Sequence, residues 1–192
     1  MNFLGKKKDT SEGRVLVLGG TGKTGRRVAA RLEEKGRPVR VGSRASVPAF
    51  DWDNESGWSA CLEGVTAAYI TYAPDLAMPG AADAIRAFVK LARRHGVRHL
   101  VLLSGRGEAE AQACERIVQD SGLDWTIVRS SWFNQNFSEG AFIDMVLAST
   151  ITLPAGQTPE PFVDIDDIAD IVVTALSAPG HAGQLYEVTG PR

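Results

Sequence analysis

The feature that most constrains this chain is a glycine-rich turn between a short apolar run and a helical pattern. The run 15–18 is followed by Gly19, Gly20, Gly22 and Gly25. This spacing satisfies G-x-G-x-x-G and equally G-x-x-G-x-x-G. Such a turn lets backbone N–H groups approach a phosphate at the start of a helix. The pattern therefore predicts a strand–turn–helix unit that holds a dinucleotide.

The same stretch contains Gly22-Lys23-Thr24, which looks like the end of an ATP-binding P-loop. A P-loop also needs a glycine five positions before Gly22, and that position is Val17. We therefore favour a dinucleotide site over a nucleotide triphosphatase. A tight strand-to-helix turn that binds no ligand stays open as the simpler alternative.

Apolar runs and helical patterns alternate along the whole chain, which is typical of a parallel sheet with helices on both faces. Runs such as LVLL and AAYIT are almost continuously apolar, as expected for strands that are buried on both sides. The sequence predicts an α/β, doubly wound, mostly parallel sheet with its ligand crevice at the carboxyl ends of the strands. We expect residues 1–13 to be a disordered arm and residues 14–192 to be a single domain. The predicted strands are 15–18, 38–42, 67–71, 98–103, 125–129 and 185–188, and the predicted helices are 23–35, 58–62, 80–95, 108–120 and 165–176.

The charge and the cysteine content limit which classes of partner and which cellular compartment we expect. The 192 residues carry a formal net charge of -2, and no basic stripe is present beyond a short lysine run, so we expect neither nucleic acid nor a membrane as a partner. Cys61 and Cys114 lie far apart, and no secretory signal opens the chain, so we expect a cytoplasmic protein. A homo-oligomer is compatible with the sequence.

The end of the second predicted strand indicates which dinucleotide is bound. An NAD site usually has an acidic residue there, whereas this chain has Ser43 and Arg44. Arg44 suits a charge-assisted contact with a 2′-phosphate, with Ser43 as a hydroxyl donor and Lys23 as a second charge. The sequence therefore favours NADP as the cofactor, with NADPH preferred over NADH. An ordinary solvated arginine is the alternative for Arg44.

These segments resemble the atypical short-chain dehydrogenase/reductases, specifically the NmrA-like, NAD(P)H-binding group with its Rossmann fold. The resemblance covers most of residues 14–190 in family order. It rests on VLVLGGTGKTGRRVAARL, VRVGSR, FDW, GVRHLVLLSG, ERIVQDSGLDWTIVRSSWFNQNF and PFVDIDDIADIVVTAL. Many members of the family continue into a C-terminal region that helps to close the substrate pocket, whereas shorter ones end near the position of Arg192, and both possibilities stay open here.

The resemblance implies a set of cofactor-binding residues along the predicted crevice. For Trp52 and Tyr72, ordinary packing is as good an explanation as contact with the cofactor. The implied positions are Gly19, Thr21, Gly22, Lys23, Thr24 and Gly25 around the phosphates, Arg44 at the 2′-phosphate, Asp51 and Trp52 near the adenine, and Tyr72, Ala73 and Pro74 toward the nicotinamide.

The usual catalytic pair of short-chain dehydrogenases, Tyr-x-x-x-Lys, is absent. If Glu115 is the glutamate that follows this motif in extended members, the Lys position is Ala111 and the Tyr position is Gly107. Ser104, after the LVLL run, matches the place where the family often has a strand-end serine and is our candidate catalytic residue. A plain strand-ending serine is the alternative. Arg106 is the nearest side chain able to stabilise a developing anion.

The segment after the TIVR strand resembles the family's wall of the nicotinamide and substrate pocket. Trp132 and Phe133 offer flat apolar surfaces and Asn136 an amide, although aromatic residues at such a place also serve to close a core. The expected reaction is NADPH-dependent transfer of hydride to a small conjugated acceptor, either a quinone, a flavin or an azo compound. The alternative is an NADP-binding redox sensor or regulatory module without catalysis.

The chain also contains an acidic segment that superficially suggests a metal site. Its spacing lacks the glycine and terminal glutamate of an EF-hand, and aspartates are favoured at the start of a helix. We therefore predict no metal site at Asp164, Asp166, Asp167 and Asp170.

Overall fold

The computed structural model describes residues 13–140, 142–153, 156–157 and 159–191. Of the predicted N-terminal arm, residues 1–12 lie outside the described residues, and Gly13 directly precedes the first strand. Within the described ranges, six strands form one sheet in the order β2-β1-β3-β4-β5-β6. Every strand pairing is parallel, which confirms the predicted doubly wound α/β architecture.

All of the predicted strands and helices are present, and their ends differ from the predicted ones by at most two residues. The short helix α5 is not among the predicted elements. The strands are β1 Arg14–Leu18, β2 Val39–Gly42, β3 Val65–Ile70, β4 His99–Gly105, β5 Asp124–Ser130 and β6 Gln184–Val188. The helices are α1 Lys23–Glu34, α2 Trp58–Leu62, α3 Ala81–Arg94, α4 Ala109–Gln119, α5 Ile143–Leu147 and α6 Ile165–Ser177, with 3-10 turns at Glu55–Gly57 and Asn134–Asn136.

Two apolar layers cover the two faces of the sheet. One contains Trp58 of α2 and Phe88 of α3, and the other contains Val28 of α1 and Ile168 of α6. Because alternate side chains of each strand point to opposite layers, the central strands are apolar at nearly every position. The helices therefore fix the sheet from both sides and leave the strand ends to form the site.

The parallel register brings the carboxyl ends of all the strands to one edge of the sheet. Gly19 follows β1, Ser43 follows β2 and Thr71 follows β3, while β4 and β5 end at Gly105 and Ser130. The strand order reverses between β1 and β3, which is the position where doubly wound sheets usually bind their ligands. Among the described residues, no helix combines the length and the apolar character needed to cross a bilayer.

Candidate functional site

The glycine turn after β1 is a close backbone crossing. Gly19 has a φ of 62°, which glycine adopts without steric cost, and its carbonyl accepts a hydrogen bond from the N–H of Gly22 at 2.8 Å. A Cβ on Gly25 would lie only 2.7 Å from the carbonyl carbon of Gly19. The first turn of α1 has no side-chain cap, so its free N–H groups point toward the strand ends. This cradle has the shape and polarity that a pyrophosphate requires.

Two side chains of this turn point elsewhere than the sequence suggests. The Thr24 hydroxyl is buried and accepts a hydrogen bond from the Tyr69 hydroxyl at 3.1 Å, so the Thr24 side chain faces the core. Lys23 Nζ lies 2.5 Å from Asn136 Oδ1 and 5.6 Å from the centre of the Phe133 ring. Lys23 therefore points toward the segment after β5, where the Asn136 amide and the Phe133 ring attract a cation, and its role as a second charge beside Arg44 stays a prediction.

Burial lowers the pKa of Lys23, and the nearby carboxylate of Glu139 acts in the opposite direction. Glu139 also ties its segment to α1, because it pairs with Arg26 and, at 2.8 Å, with Arg27. The turn that carries Asn136 is therefore held against the helix that begins at the glycine cradle.

The end of β2 presents the residues expected at a 2′-phosphate. The carbonyl of Ser43 accepts hydrogen bonds from the N–H groups of Ser46 and Phe50, at 3.2 and 2.8 Å, which shapes the loop that follows the strand. Arg44 is exposed, and within the described part of the chain it has no ion-pair partner. Its guanidinium is therefore available to a ligand, and its role at a 2′-phosphate stays a prediction.

Trp52 belongs to a packed aromatic cluster. Its indole N–H donates to the carbonyl of Thr71 at 3.1 Å, and its ring lies 5.0 Å from those of Phe50 and Tyr72. Asp51 is locked into the same loop, because its carbonyl accepts a hydrogen bond from the Trp58 indole at 2.7 Å. The packing alternative therefore describes part of what Trp52 does, and the expected places of Asp51 and Trp52 beside an adenine stay predictions.

A cavity of about 480 Å³ opens at the carboxyl ends of β3, β4 and β5. It brings together residues that the sequence analysis assigned to the nicotinamide and the acceptor. These are Lys23, Tyr72, Pro74, Ser104, Trp132, Phe133 and Asn136. The cavity lining does not include Gly19, Thr21, Gly22, Thr24, Gly25, Ser43, Arg44, Asp51, Trp52 or Ala73, and it adds Asp75, Glu108, Ser131 and Phe142, which the sequence analysis did not propose.

Two serine hydroxyls in this cavity have no partner among the described residues. Ser104 Oγ lies at the end of β4 and Ser131 Oγ directly after β5, and both atoms are buried. A buried hydroxyl without a hydrogen bond costs free energy, so these two atoms are available as hydrogen-bond partners of a ligand group. Ser131 was missed because a second serine beside Ser130 carries no distinctive spacing.

Aromatic rings form one wall of the cavity. Trp132 is 47% exposed and stacks on Phe142, with ring centroids 5.5 Å apart and planes at 24°. Phe162 meets Trp132 edge-on at 6.3 Å and also contacts Phe137. An exposed, supported indole face suits a flat conjugated molecule.

If Glu115 marks the usual Tyr–Lys motif, the Tyr and Lys positions are taken by Gly107 and Ala111, which carry no catalytic side chain. Gly107 has a φ of 83°, and Ala111 is fully buried in α4. Glu115 is also buried, and its carboxylate binds the Arg129 guanidinium at 2.5 and 2.9 Å. Arg129 also pairs with Glu187 at 3.0 Å, so this network joins α4 to β5 and β6. The hydrogen bonds that the guanidinium donates to Glu115 and then to Glu187 raise the pKa of Arg129, which stays protonated.

The acidic segment before α6 has partners that explain its composition. Asp164 caps α6 by accepting the N–H of Asp166 at 2.8 Å. Asp166 lies 2.6 Å from Arg31, and Asp170 lies 3.0 Å from the same guanidinium. In the ranges that the structure describes, no group of three or more acidic, histidine or cysteine side chains is arranged to hold a metal.

Comparison with known proteins places this site in a family. Residues 19–179 match the family of NAD(P)H-binding proteins. The chain belongs to this NAD(P)H-binding family. The match spans the glycine turn, the strand ends and α6, which is the region that forms the cradle and the cavity. It confirms the resemblance to the atypical, NmrA-like short-chain dehydrogenase/reductases.

Several proteins that are similar to this chain in sequence are named for redox reactions. Festuclavine dehydrogenase of Aspergillus fumigatus is 32% identical over 92% of this chain and 68% of its own length. An NAD(P)H azoreductase of Xenophilus azovorans is 29% identical over 93% of this chain and 68% of its own length. The prestalk A differentiation protein A of Dictyostelium discoideum is 29% identical over 93% of this chain. The chain spans only 64% of that last relative's length.

Solved structures show the same fold at low identity. A nucleoside-diphosphate-sugar epimerase of Staphylococcus aureus has a TM-score of 0.78 at 16% identity, covering 93% of this chain and 71% of that one. The NADPH-dependent quinone oxidoreductase of Escherichia coli, complexed with NADPH, has a TM-score of 0.74 at 21% identity, covering 92% and 69%. The Citrobacter triphenylmethane reductase, complexed with NADP(H), has a TM-score of 0.72 at 18% identity, covering 93% and 70%.

Proposed function

We propose that this chain is an NADPH-dependent reductase that transfers hydride to a small conjugated acceptor, either a quinone, a flavin or an azo compound. The observation that carries the proposal is the cavity beside the glycine cradle. It combines two buried hydroxyls that lack partners with an aromatic wall. Relatives named as an azoreductase and a dehydrogenase support the same class of reaction.

The residues present fit a dinucleotide. The N–H groups at the start of α1 would hold the pyrophosphate over the close crossing of Gly19 and Gly25, with Thr21 and Gly22 in the same turn. Ser104 Oγ and Ser131 Oγ would serve the polar edge of the nicotinamide or of the acceptor. When bound, NADPH supplies the hydride, which is the step that no side chain can perform.

The protein's own contribution is to position the acceptor and to exclude water. Trp132 and Phe133 would cover one face of a flat acceptor, and Asn136 would hold the Lys23 ammonium at the edge of the cavity. Hydride transfer to a quinone, a flavin or an azo compound leaves the electron pair on a conjugated oxygen or nitrogen, so this step does not need the Tyr–Lys pair that alcohol and ketone substrates use. The absence of that pair therefore agrees with a conjugated acceptor.

The preference for NADPH over NADH rests on Arg44. A charge-assisted hydrogen bond to a 2′-phosphate contributes about 1.5–3 kcal/mol, so Arg44→Ala should weaken NADPH binding by roughly 10-fold or more. NADH lacks the 2′-phosphate, so its affinity should change much less. Arg94→Ala is the matched control, because Arg94 is an exposed arginine at the end of α3. Equal losses for NADPH and NADH would refute the assignment.

The test of the proposed function has two steps on the same preparation. Calorimetric titration with NADPH and NADH measures both affinities, and the absorbance of NADPH then follows its oxidation with a quinone, a flavin and an azo dye. Tight NADPH binding with turnover supports the reductase. Tight binding without turnover for all three acceptors would favour the non-catalytic redox sensor. Failure to bind either dinucleotide would refute both functions.

A further inference from the structure

Glu108 occupies an unusual place in the cavity. It lies three residues after the end of β4 and directly before α4, and its carboxylate is folded back against Gly105. A Cβ on Gly105 would lie 2.6 Å from the carboxyl carbon of Glu108, so a side chain at position 105 would displace the carboxylate from this position. The carboxylate does not cap α4, and among the described residues it has no hydrogen-bond or ion-pair partner. It is a half-buried acid that faces the cavity.

The charged groups around Glu108 favour its protonated form. Asp75, from the loop after β3, and Glu110, in the first turn of α4, are both acidic. The cavity also contains Arg106, but its guanidinium lies 3.9 Å from the carboxylate of Glu187. Burial first, and then the two acidic neighbours, raise the pKa of Glu108. A carboxyl group with a raised pKa keeps its proton at a pH closer to neutral.

We infer that Glu108 is the proton donor to the reduced acceptor, a role that rests on the proposed reductase function. Hydride addition to a quinone, flavin or azo compound moves an electron pair onto an oxygen or nitrogen of the acceptor. The O–H bond of the Glu108 carboxyl then breaks, and its proton forms the new O–H or N–H bond of the product. The carboxylate that remains takes a proton from water. The sum is NADPH, acceptor and one proton giving NADP⁺ and the reduced acceptor.

Tyr72 is another weak acid that lines the cavity, and it is less suited to this step. Its ring packs on Trp52, and burial together with Asp53 raises its pKa further above 10. A general acid works best when its pKa lies near the operating pH. The raised pKa of Glu108 lies closer to neutral pH than that of an ordinary glutamate, whereas the raised pKa of Tyr72 lies farther from neutral pH than that of an ordinary tyrosine.

The experiment compares Glu108→Gln with Glu34→Gln, which changes an exposed glutamate at the C-terminal end of α1. Oxidation of NADPH with a quinone should slow by roughly 100-fold or more in Glu108→Gln and stay within about 2-fold in Glu34→Gln. Both variants should keep the calorimetric affinity for NADPH. In the wild type, kcat should fall as the pH rises through the pKa of Glu108, and this decline should be missing in Glu108→Gln.

A second readout needs neither cofactor nor turnover. The carboxyl carbons can be titrated by NMR, with Glu108→Gln as the assignment control. We expect one glutamate whose pKa lies above the ordinary value of 4.5 and whose signal is missing from the spectrum of the variant. Glu108→Asp keeps a carboxyl group, so it should restore part of the rate and the pH dependence. A partly restored rate in Glu108→Asp would also show that the slow rate of Glu108→Gln comes from the missing carboxyl group and not from a general loss of structure.

The outcomes separate the two proposals. If the wild type turns over but Glu108→Gln keeps the rate and the pH dependence, the proton-donor role is overturned and the reductase stands. If the NMR titration places the pKa of Glu108 at or below 4.5, the role is overturned in the same way. If the wild type binds NADPH and reduces none of the three acceptors, the reductase is overturned and the proton donor with it.

Discussion

Replacement of Glu115 by glutamine should destabilise the fold far more than a surface charge change does. The Glu115 side chain is only 3% exposed, and it binds Arg129 through two hydrogen bonds. Removal of one partner from a buried ion pair costs about 3–5 kcal/mol, because the other charge stays buried. Arg129 is 17% exposed and keeps Glu187 as a partner, so we expect a loss near the lower end, about 3 kcal/mol.

For a chain of this size, each kcal/mol shifts the melting temperature by about 2–4 °C, so Glu115→Gln should lower it by roughly 6–12 °C. Urea unfolding followed by circular dichroism gives the free energy of unfolding, and calorimetry gives the melting temperature. Asp83→Asn is the control, because the Asp83 and Arg86 side chains are 86% and 59% exposed. Loss of that exposed helix pair should cost only about 0.3–0.5 kcal/mol.

The reasoning fails if Glu115→Gln and Asp83→Asn lower the free energy of unfolding by the same amount. A double-mutant cycle with Arg129→Met sharpens the test, because the buried charge that makes the single change costly is then removed as well. We expect the double variant to be more stable than the sum of the two single losses predicts.

Three further predictions concern packing, the cradle and acid stability. Phe88→Ala removes a fully buried ring and should cost about 3–5 kcal/mol in urea unfolding, and a loss below about 1 kcal/mol would contradict its central place in the core. Gly25→Ala forces the backbone away from Gly19 and should weaken NADPH binding at least 10-fold by calorimetry, whereas an unchanged Kd would refute the close crossing. A hydrogen bond from Arg31 lowers the pKa of Asp166, so the pair stabilises the fold above the unfolded-state pKa and this contribution is lost as the pH falls through the lowered pKa. Because Asp166 is half exposed, Asp166→Asn should cost less than about 1 kcal/mol at neutral pH and nothing in strong acid, and a loss that persists in acid would contradict the ion pair.

The sequence predicts the fold well because its main signals are local. Apolar runs mark strands that are buried on both faces, and Gly19 to Gly25 can only form a tight turn before a helix. Helix α5 was missed because it has a single turn, and its exposed Ile143, Val146 and Leu147 do not form a buried stripe.

The site is predicted less completely because its partners are distant in the chain. Lys23 and Asn136 are separated by 113 positions, and only the folded sheet brings the ammonium to the amide. The sequence presents Glu108 as an ordinary residue at a helix start. Its carboxylate can lie against position 105 because glycine has no side chain there, and no sequence motif indicates such a contact. Glycine spacing predicted the tight turn after β1, and the family resemblance predicted several of the cavity residues, whereas Glu108 and Ser131 required the tertiary structure.

The ion pairs of Glu139 with Arg26 and Arg27 connect two places where ligands are proposed to bind. The first turn of α1 is where the pyrophosphate is proposed to bind, and the same helix holds the turn that contributes Asn136 to the cavity. If binding of a dinucleotide orders the first turn of α1, it also restrains the turn that carries Asn136. Less entropy is then lost when an acceptor binds. Thermodynamic linkage then requires each ligand to raise the affinity of the other by the same factor.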